Sequence, residues 1–132
     1  MSNRPKPSAV IFARDIVPMA HFYAQVVGMI AVHTDPDHIV LDADGFQLVI
    51  HGIPAAIAAS FDISVPPEIR TDTPLKICLP VDSIQQARRM AKSLGGKIKP
   101  PTSEWQARGF RACDGYDPEG NVFQVRENAT TN

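Results

Sequence analysis

The sequence has no surplus of charge of either sign. Lys and Arg number 13 against 14 Asp and Glu, a formal net charge of −1, so the basic excess that a phosphate backbone demands is missing and no nucleic-acid partner is expected. Arg88 and Arg89 are the only adjacent basic pair. That leaves no polybasic patch for an anionic membrane surface, and no apolar run approaches the length of a membrane span, so no membrane partner is expected either. Cysteine is scarce: Cys78 and Cys113 are the only two. The stretch Met1 to Pro7 contains Arg4 and Lys6 but no apolar segment ending in a small-residue cleavage site. Without an export signal the two thiols read as reduced rather than bridged, and a cytoplasmic location is expected. Aromatic residues make up 7% of the chain, with one Trp.

What is present is an ordinary apolar fraction, 44%, in 132 residues. That suffices for one compact domain and one core, not two. Ser8 to Ala13 reads as a short apolar strand, and Ile16, Met19, Phe22, Tyr23 and Val26 follow at helical spacing. Asp15 stands where the helix needs an N-cap and Gly28 where it needs a C-terminal glycine. The same order recurs. Leu75 to Val81 is a strand, Asp82 or Ser83 a cap, and Ile84, Ala87, Met90, Ala91 and Leu94 a second helical stripe that ends at Gly95-Gly96. At a constant offset of 68, Ala13 matches Val81, Ile16 matches Ile84, Val26 matches Leu94 and Gly28 matches Gly96.

Shorter strands follow each helix. In the first half they are Met29 to His33, His38 to Ala43 and Phe46 to His51, with Asp44-Gly45 as a hairpin turn. In the second they are Lys97 to Lys99, Phe110 to Asp114 and Val122 to Arg126, the last preceded by the turn Asp117-Pro118-Glu119-Gly120. Here the offset is 75, pairing Asp42 with Asp117, Gly45 with Gly120 and Ile50 with Val125, so the second copy carries seven extra residues between its helix and its last strand. The expected fold class is α+β, two βαβββ modules at about 8–52 and 75–127 in a single domain, joined by a linker at 53–74 and followed by a loose tail at 128–132.

Two such modules, a strand-Asp-helix opening in each and Asp-Pro-Glu-Gly-Asn before the final strand together resemble the vicinal oxygen chelate superfamily. This is the glyoxalase, bleomycin resistance and extradiol dioxygenase group. The resemblance spans roughly residues 8 to 127 and implies that the strands curve into a mixed-sheet half-barrel around a cavity. It also implies a homodimer and a small organic molecule as the partner. Activities in the group run from lyase, isomerase and dioxygenase chemistry to non-enzymatic drug sequestration. Its drug-binding members take cationic drugs in acidic, aromatic-rich grooves, unlike this chain.

Strand alternation sorts the side chains by itself. Ala9, Ile11, Ala13, Leu48, Ile50, Ile77, Leu79, Val81, Phe123 and Val125 form the set that meets the helices. The opposite parity faces the cavity: Ser8, Val10, Phe12, Gln47, Val49, His51, Lys76, Cys78, Val122, Gln124 and Arg126. By the resemblance, metal-dependent relatives place His, Gln and Glu ligands where this chain has Ser8, Val49, Lys76 and Gln124. Valine has no donor atom, and a lysine must lose its proton beside a cation that repels it, so no metal and no other cofactor is expected there. A rival ligand cluster is His33, Asp42 and His51, while His21 and His38 read as surface residues.

Seven residues are candidates for contact with a ligand. Lys76 interrupts an apolar strand and needs a partner if buried; it suits a carboxylate or phosphate, or a base, or else it is a strand-end lysine reaching water. Arg126, Gln124, Gln47 and His51 add polar groups, each also readable as a local strand contact. Trp105, in 100–108, and Phe12 offer aromatic walls, or pack locally. Cys78 reads as a small buried residue, and Cys113, Asp114 and Tyr116 receive no role. Three functions stay open. One is metal-independent binding of a neutral or anionic small molecule. Another is an enzyme of the lyase, isomerase or dioxygenase type, with an unrecognised metal or with His51 and Lys76 as acid and base. The last is an interaction module with a filled cavity.

Overall fold

In the computed structural model, which describes residues 4–129, the alternation of the strands becomes two sheets backed by helices. The chain runs β1 (Ser8–Ala13), α1 (Ile16–Val27), β2 (Ile30–Asp35), β3 (His38–Ala43), β4 (Phe46–Gly52), the single-turn helix α2 (Ala55–Ala58), β5 (Ile77–Pro80), α3 (Ile84–Ser93), β6 (Lys97–Ile98), β7 (Trp105–Ala107), β8 (Phe110–Tyr116) and β9 (Val122–Asn128). The first sheet has the order β1-β4-β3-β2 and the second β5-β9-β8-β6, with β7 also on β8. In both, the first strand lies parallel to the last and the other pairings are antiparallel. The repeat seen in the sequence is thus a repeat of topology, and neither sheet closes into a barrel. Among the described residues no helix is long and apolar enough to cross a membrane.

Burial follows the expected parity. Ala13, Leu48, Ile50, Leu79, Phe123 and Val125 are buried and meet Met19, Phe22, Tyr23 and Val26 of α1 and Ile84, Ala87 and Ala91 of α3 in one core. Met90, placed on the buried stripe by its spacing, instead lies at the edge of α3 and is exposed. Phe22, Tyr23 and Phe123 pack edge to face, with centroids 5.2 to 5.8 Å apart. Such pairs add about 0.5–1.5 kcal/mol each beyond their area.

The helix starts differ from expectation in an informative way. Ser83 caps α3, accepting from the Gln86 N–H at 3.1 Å. Asp15 occupies the N-cap position of α1 but its side chain makes no cap bond; it pairs with Arg14 at 3.1 Å instead. The carboxylate at this helix start is Glu119, which accepts from the N–H groups of Arg14 at 2.8 Å and Asp15 at 2.9 Å. Beside it, buried Asp117 accepts from the Tyr23 hydroxyl at 2.8 Å, from the N–H of Glu119 at 2.9 Å and from that of Asn121 at 3.0 Å. The turn ahead of β9 is therefore a clasp on α1. Gly120 closes it with φ +88°, and a Cβ there would run into the Glu68 carbonyl.

Other departures are local. The seven extra residues of the second half form a 3-10 turn at Pro101–Ser103 and the strand β7, held to α3 by the ion pair of Arg88 with Glu104 at 2.5 Å. Trp105 thus lies on a strand. The strand expected from Leu75 begins at Ile77, so Lys76 precedes it. Only residue 128 and its neighbour 129 of the expected loose tail are described, and Asn128 is the last residue of β9; the remainder lies outside the described residues.

Burial, then the charge of Asp117, raises the Tyr23 phenol well above its ordinary 10.0. A group that holds its proton more tightly folded than unfolded contributes stability in full below its unfolded pKa and loses it as the pH rises through the folded value. Above pH 10 the Tyr23 phenolate should form only as the chain unfolds, visible as coincident tyrosine absorbance and circular dichroism transitions. Tyr23→Phe should remove that coupling and cost roughly 1–2 kcal/mol in urea denaturation at pH 7. A free, early titration of both tyrosines would contradict the clasp.

Candidate functional site

Each sheet turns one face to its helices and leaves the other open, and the register decides which side chains share the open faces. On the second sheet Cys78 lies opposite Gln124, Gln124 opposite Asp114 and Arg126 opposite Ala112. These residues and Lys76 form one connected network. The Lys76 ammonium reaches Asp114 at 2.8 Å, and the Gln124 amide N–H donates to the other Asp114 oxygen at 3.0 Å. Arg126 Nε donates to the Gln124 carbonyl at 2.7 Å, and its Nη2 lies 3.3 Å from the Cys78 sulfur. Its guanidinium also stands 4.4 Å from the Phe110 ring centre, and Trp105 meets that ring edge to face at 6.0 Å.

Asp114 is the hub of this network and is the residue that strand reading left without a role. The signal was available: alternation along β8 sets Phe110, Ala112, Asp114 and Tyr116 on one face. Partial burial raises its carboxyl, but Lys76, Gln124 and Lys99 outweigh that, and its pKa lies below the ordinary 3.8. Beside the network runs a groove of about 680 Å³, lined by Arg70, Lys76, Lys97, Lys99, Asp114 and Tyr116 among others. Arg70, from the linker, and the two lysines beside β6 carry no pattern that marks them in the sequence.

The first sheet's open face is different. Val10 and Phe12 are 50% and 65% exposed. The Phe12 ring lies 5.8 Å from His51, whose Nδ1 bonds the Gly52 carbonyl at 2.8 Å. His38, opposite His51 in the register, stacks on it at 5.7 Å. His38, its side chain 27% exposed, lies between Asp37 and His51. Asp42 does not join His33 and His51, being held at the far end of β3 by Lys6 at 2.8 Å and by Gln47 at 3.3 Å. Cys78, expected to be buried, is exposed, whereas Cys113 is buried and burial raises its thiol pKa.

The predicted ligand residues thus divide. Lys76, Gln124 and Arg126 come together, with Trp105 one ring away. Phe12 and His51 form a second group, and Gln47 stands apart with Asp42. Ser8 and Val49 lie on the first sheet, Lys76 and Gln124 on the second. A serine, a valine, an ion-paired lysine and a glutamine bonded at both ends of its amide do not fit a divalent ion.

A family model described as a glyoxalase-like domain matches residues 8–126. A glyoxalase/bleomycin resistance protein/dioxygenase family enzyme from Burkholderia phytofirmans PsJN superposes with a TM-score of 0.66 at 22% identity, covering 92% of this chain and 96% of that one. A bleomycin resistance determinant encoded on transposon Tn5 gives 0.61 at 21% identity, covering 96% and 100%. A fosfomycin resistance protein from Listeria monocytogenes gives 0.63 at 13%, covering 98% and 94%. These likenesses establish the fold. No curated protein sequence matches the chain.

The lowered Asp114 pKa sets a pH signature. A carboxylate held below its unfolded pKa contributes stability above that value and loses it as the pH falls through the folded one. Asp114→Asn should cost on the order of 1 kcal/mol at pH 7. The difference from the parent should shrink in urea titrations carried from pH 5 to below about 3; a gap that stays constant there would contradict the network.

Proposed function

The chain belongs to the glyoxalase-like domain family, and from that premise we propose that it binds a small organic anion in the groove beside Lys76, without a metal at the family's ligand positions. The observation that carries this reading is the groove's lining, in which Arg70, Lys76, Lys97 and Lys99 face a single carboxylate, Asp114. Its volume falls within the roughly 300–1,000 Å³ of small-ligand sites. Leu75, Pro74 and Val122 supply apolar contact, which suits a compact organic acid or phosphate ester better than an inorganic ion. Charge-assisted bonds from several lysines offset the desolvation of such a group. An acidic groove for a cationic drug is the opposite chemistry.

The proposal extends to assembly. The first sheet exposes Val10 and Phe12 on β1 and Ile30 and Val32 on β2, large apolar side chains of the kind a partner surface covers. A second copy of the chain covering them would make a homodimer. Free thiols at Cys78 and Cys113 agree with the reducing cytoplasm.

Calorimetry or thermal shift with a panel of carboxylates and phosphate esters, in EDTA, tests the binding reading. At least one anion should bind, and Lys76→Ala or Lys99→Ala should weaken it about tenfold, equivalent to roughly 1.4 kcal/mol. Asp114→Asn should strengthen it, because the ligand then no longer competes with a resident carboxylate for Lys76. Binding that appears only with a stoichiometric metal would overturn the proposal. Sedimentation should give a dimer, and Phe12→Asp should shift it to monomer with the circular dichroism spectrum retained.

A further inference from the structure

We propose that the hairpin joining β2 and β3 is a binding site for a late first-row divalent metal ion, with His33, Asp35 and His38 as ligands. The register produces the site. Asp35 lies opposite His38 across the hairpin, and His33 is two residues before Asp35, so all three side chains project from the same face. His33 Nε2 stands 2.6 Å from Asp35 Oδ2, His38 Nε2 stands 3.7 Å from the same oxygen, and one ligand atom from each of the three lies within 4.8 Å of the others. Ligands bound at about 2.0–2.1 Å around a tetrahedral ion are about 3.3 Å apart. Small side-chain rotations therefore suffice to close the set.

The second observation is how His38 is held. Its Nδ1 lies 2.8 Å from Asp37 Oδ1. A carboxylate on Nδ1 fixes the tautomer that leaves the Nε2 lone pair free, the arrangement that orients most metal-bound histidines. His51 stacks on the other face of the His38 ring, the planes within 10°, and is itself fixed through its bond to Gly52. The ring is thus held by Asp37 and His51 and aimed at Asp35 and His33.

Two imidazoles and one carboxylate suit Zn(II), Co(II) or Ni(II), and three protein ligands leave coordination positions open to other ligands. The site shares no residue with the basic groove, which lies on the other sheet. It is also distinct from Ser8, Val49, Lys76 and Gln124.

Untagged full-length protein, stripped with EDTA and dialysed, is titrated with Co(II) by visible absorption and with Zn(II) by calorimetry, with no organic anion present. One equivalent should bind, with Co(II) giving tetrahedral or five-coordinate d–d bands. His33→Ala, Asp35→Ala and His38→Ala should each lower the affinity at least tenfold, and Asp37→Asn by roughly 10-fold or more through loss of orientation. His21→Ala, on the exposed face of α1, and Lys76→Ala should leave it unchanged, which separates this site from the anion groove. All four ligand-region variants are on the surface hairpin and should keep the parent melting temperature in EDTA. Affinity no tighter than about 1 mM, or equal loss in His21→Ala, would overturn the proposal.

Discussion

Two buried carboxylates, Asp117 and Glu119, decide how the halves of this molecule meet. Among the described residues neither is ion-paired with a cationic side chain. Asp117 is held by the Tyr23 hydroxyl, by two backbone N–H groups and by the Asn121 amide. Glu119 sits at the start of α1 on the N–H groups of Arg14 and Asp15, where unpaired helix donors and the helix dipole favour an anion. Burial still pushes the Asp117 pKa up, a desolvation cost that the hydrogen bonds from Asn121, Tyr23 and Glu119 oppose. That cost is met only when the turn before β9 and the first turns of α1 are in register. The clasp therefore specifies one docking of the second sheet on the first helix, and the Phe22, Tyr23 and Phe123 rings fill the space that docking leaves.

Legibility in the sequence tracks how local each determinant is. Parity along β4 and β9 was readable because Gln47, His51, Gln124 and Arg126 alternate with apolar neighbours, and a sheet with one covered face admits no other register. The Asp44-Gly45 turn was readable because both residues adopt positive φ, 43° and 85°, which side-chain chemistry restricts strongly. The α1 cap was not. Asp15 has the right chemistry at the right place, yet Glu119, 104 residues away in the chain, takes its role, and no local rule reports a partner that distant. Likewise Lys76 was legible as a residue requiring a counter-charge, but Asp114 as that counter-charge rests on a cross-sheet pairing. Strand β7 was missed because it exists only through pairing with β8 and through the tie of Arg88 to Glu104; three residues have too little pattern of their own.

The duplicated topology carries unequal chemistry. On the first sheet the open face combines exposed apolar residues with a histidine and aspartate cluster at one hairpin; on the second it carries a lysine, aspartate, glutamine, arginine relay beside a basic groove. Equivalent strand positions thus serve different ends, because an open sheet face constrains its residues only to be compatible with water or with whatever covers it. The core parity is conserved between halves for the converse reason: every inward position must fill a defined volume.

Within the second sheet, one pairing governs what the groove can do. Asp114 neutralises Lys76 and occupies the Gln124 amide, and Gln124 in turn holds Arg126. An incoming anion must therefore either displace Asp114 from Lys76 or be held by Arg70, Lys97 and Lys99, which the network leaves uncommitted to it. The first route costs the ligand a resident ion pair in a partly screened setting, worth at most about 1 kcal/mol. The second costs nothing of the kind. A ligand with two separated acidic groups uses both routes at once, and so gains most from this arrangement. The network thus sets the strength and the shape of the anion that the proposed groove would prefer.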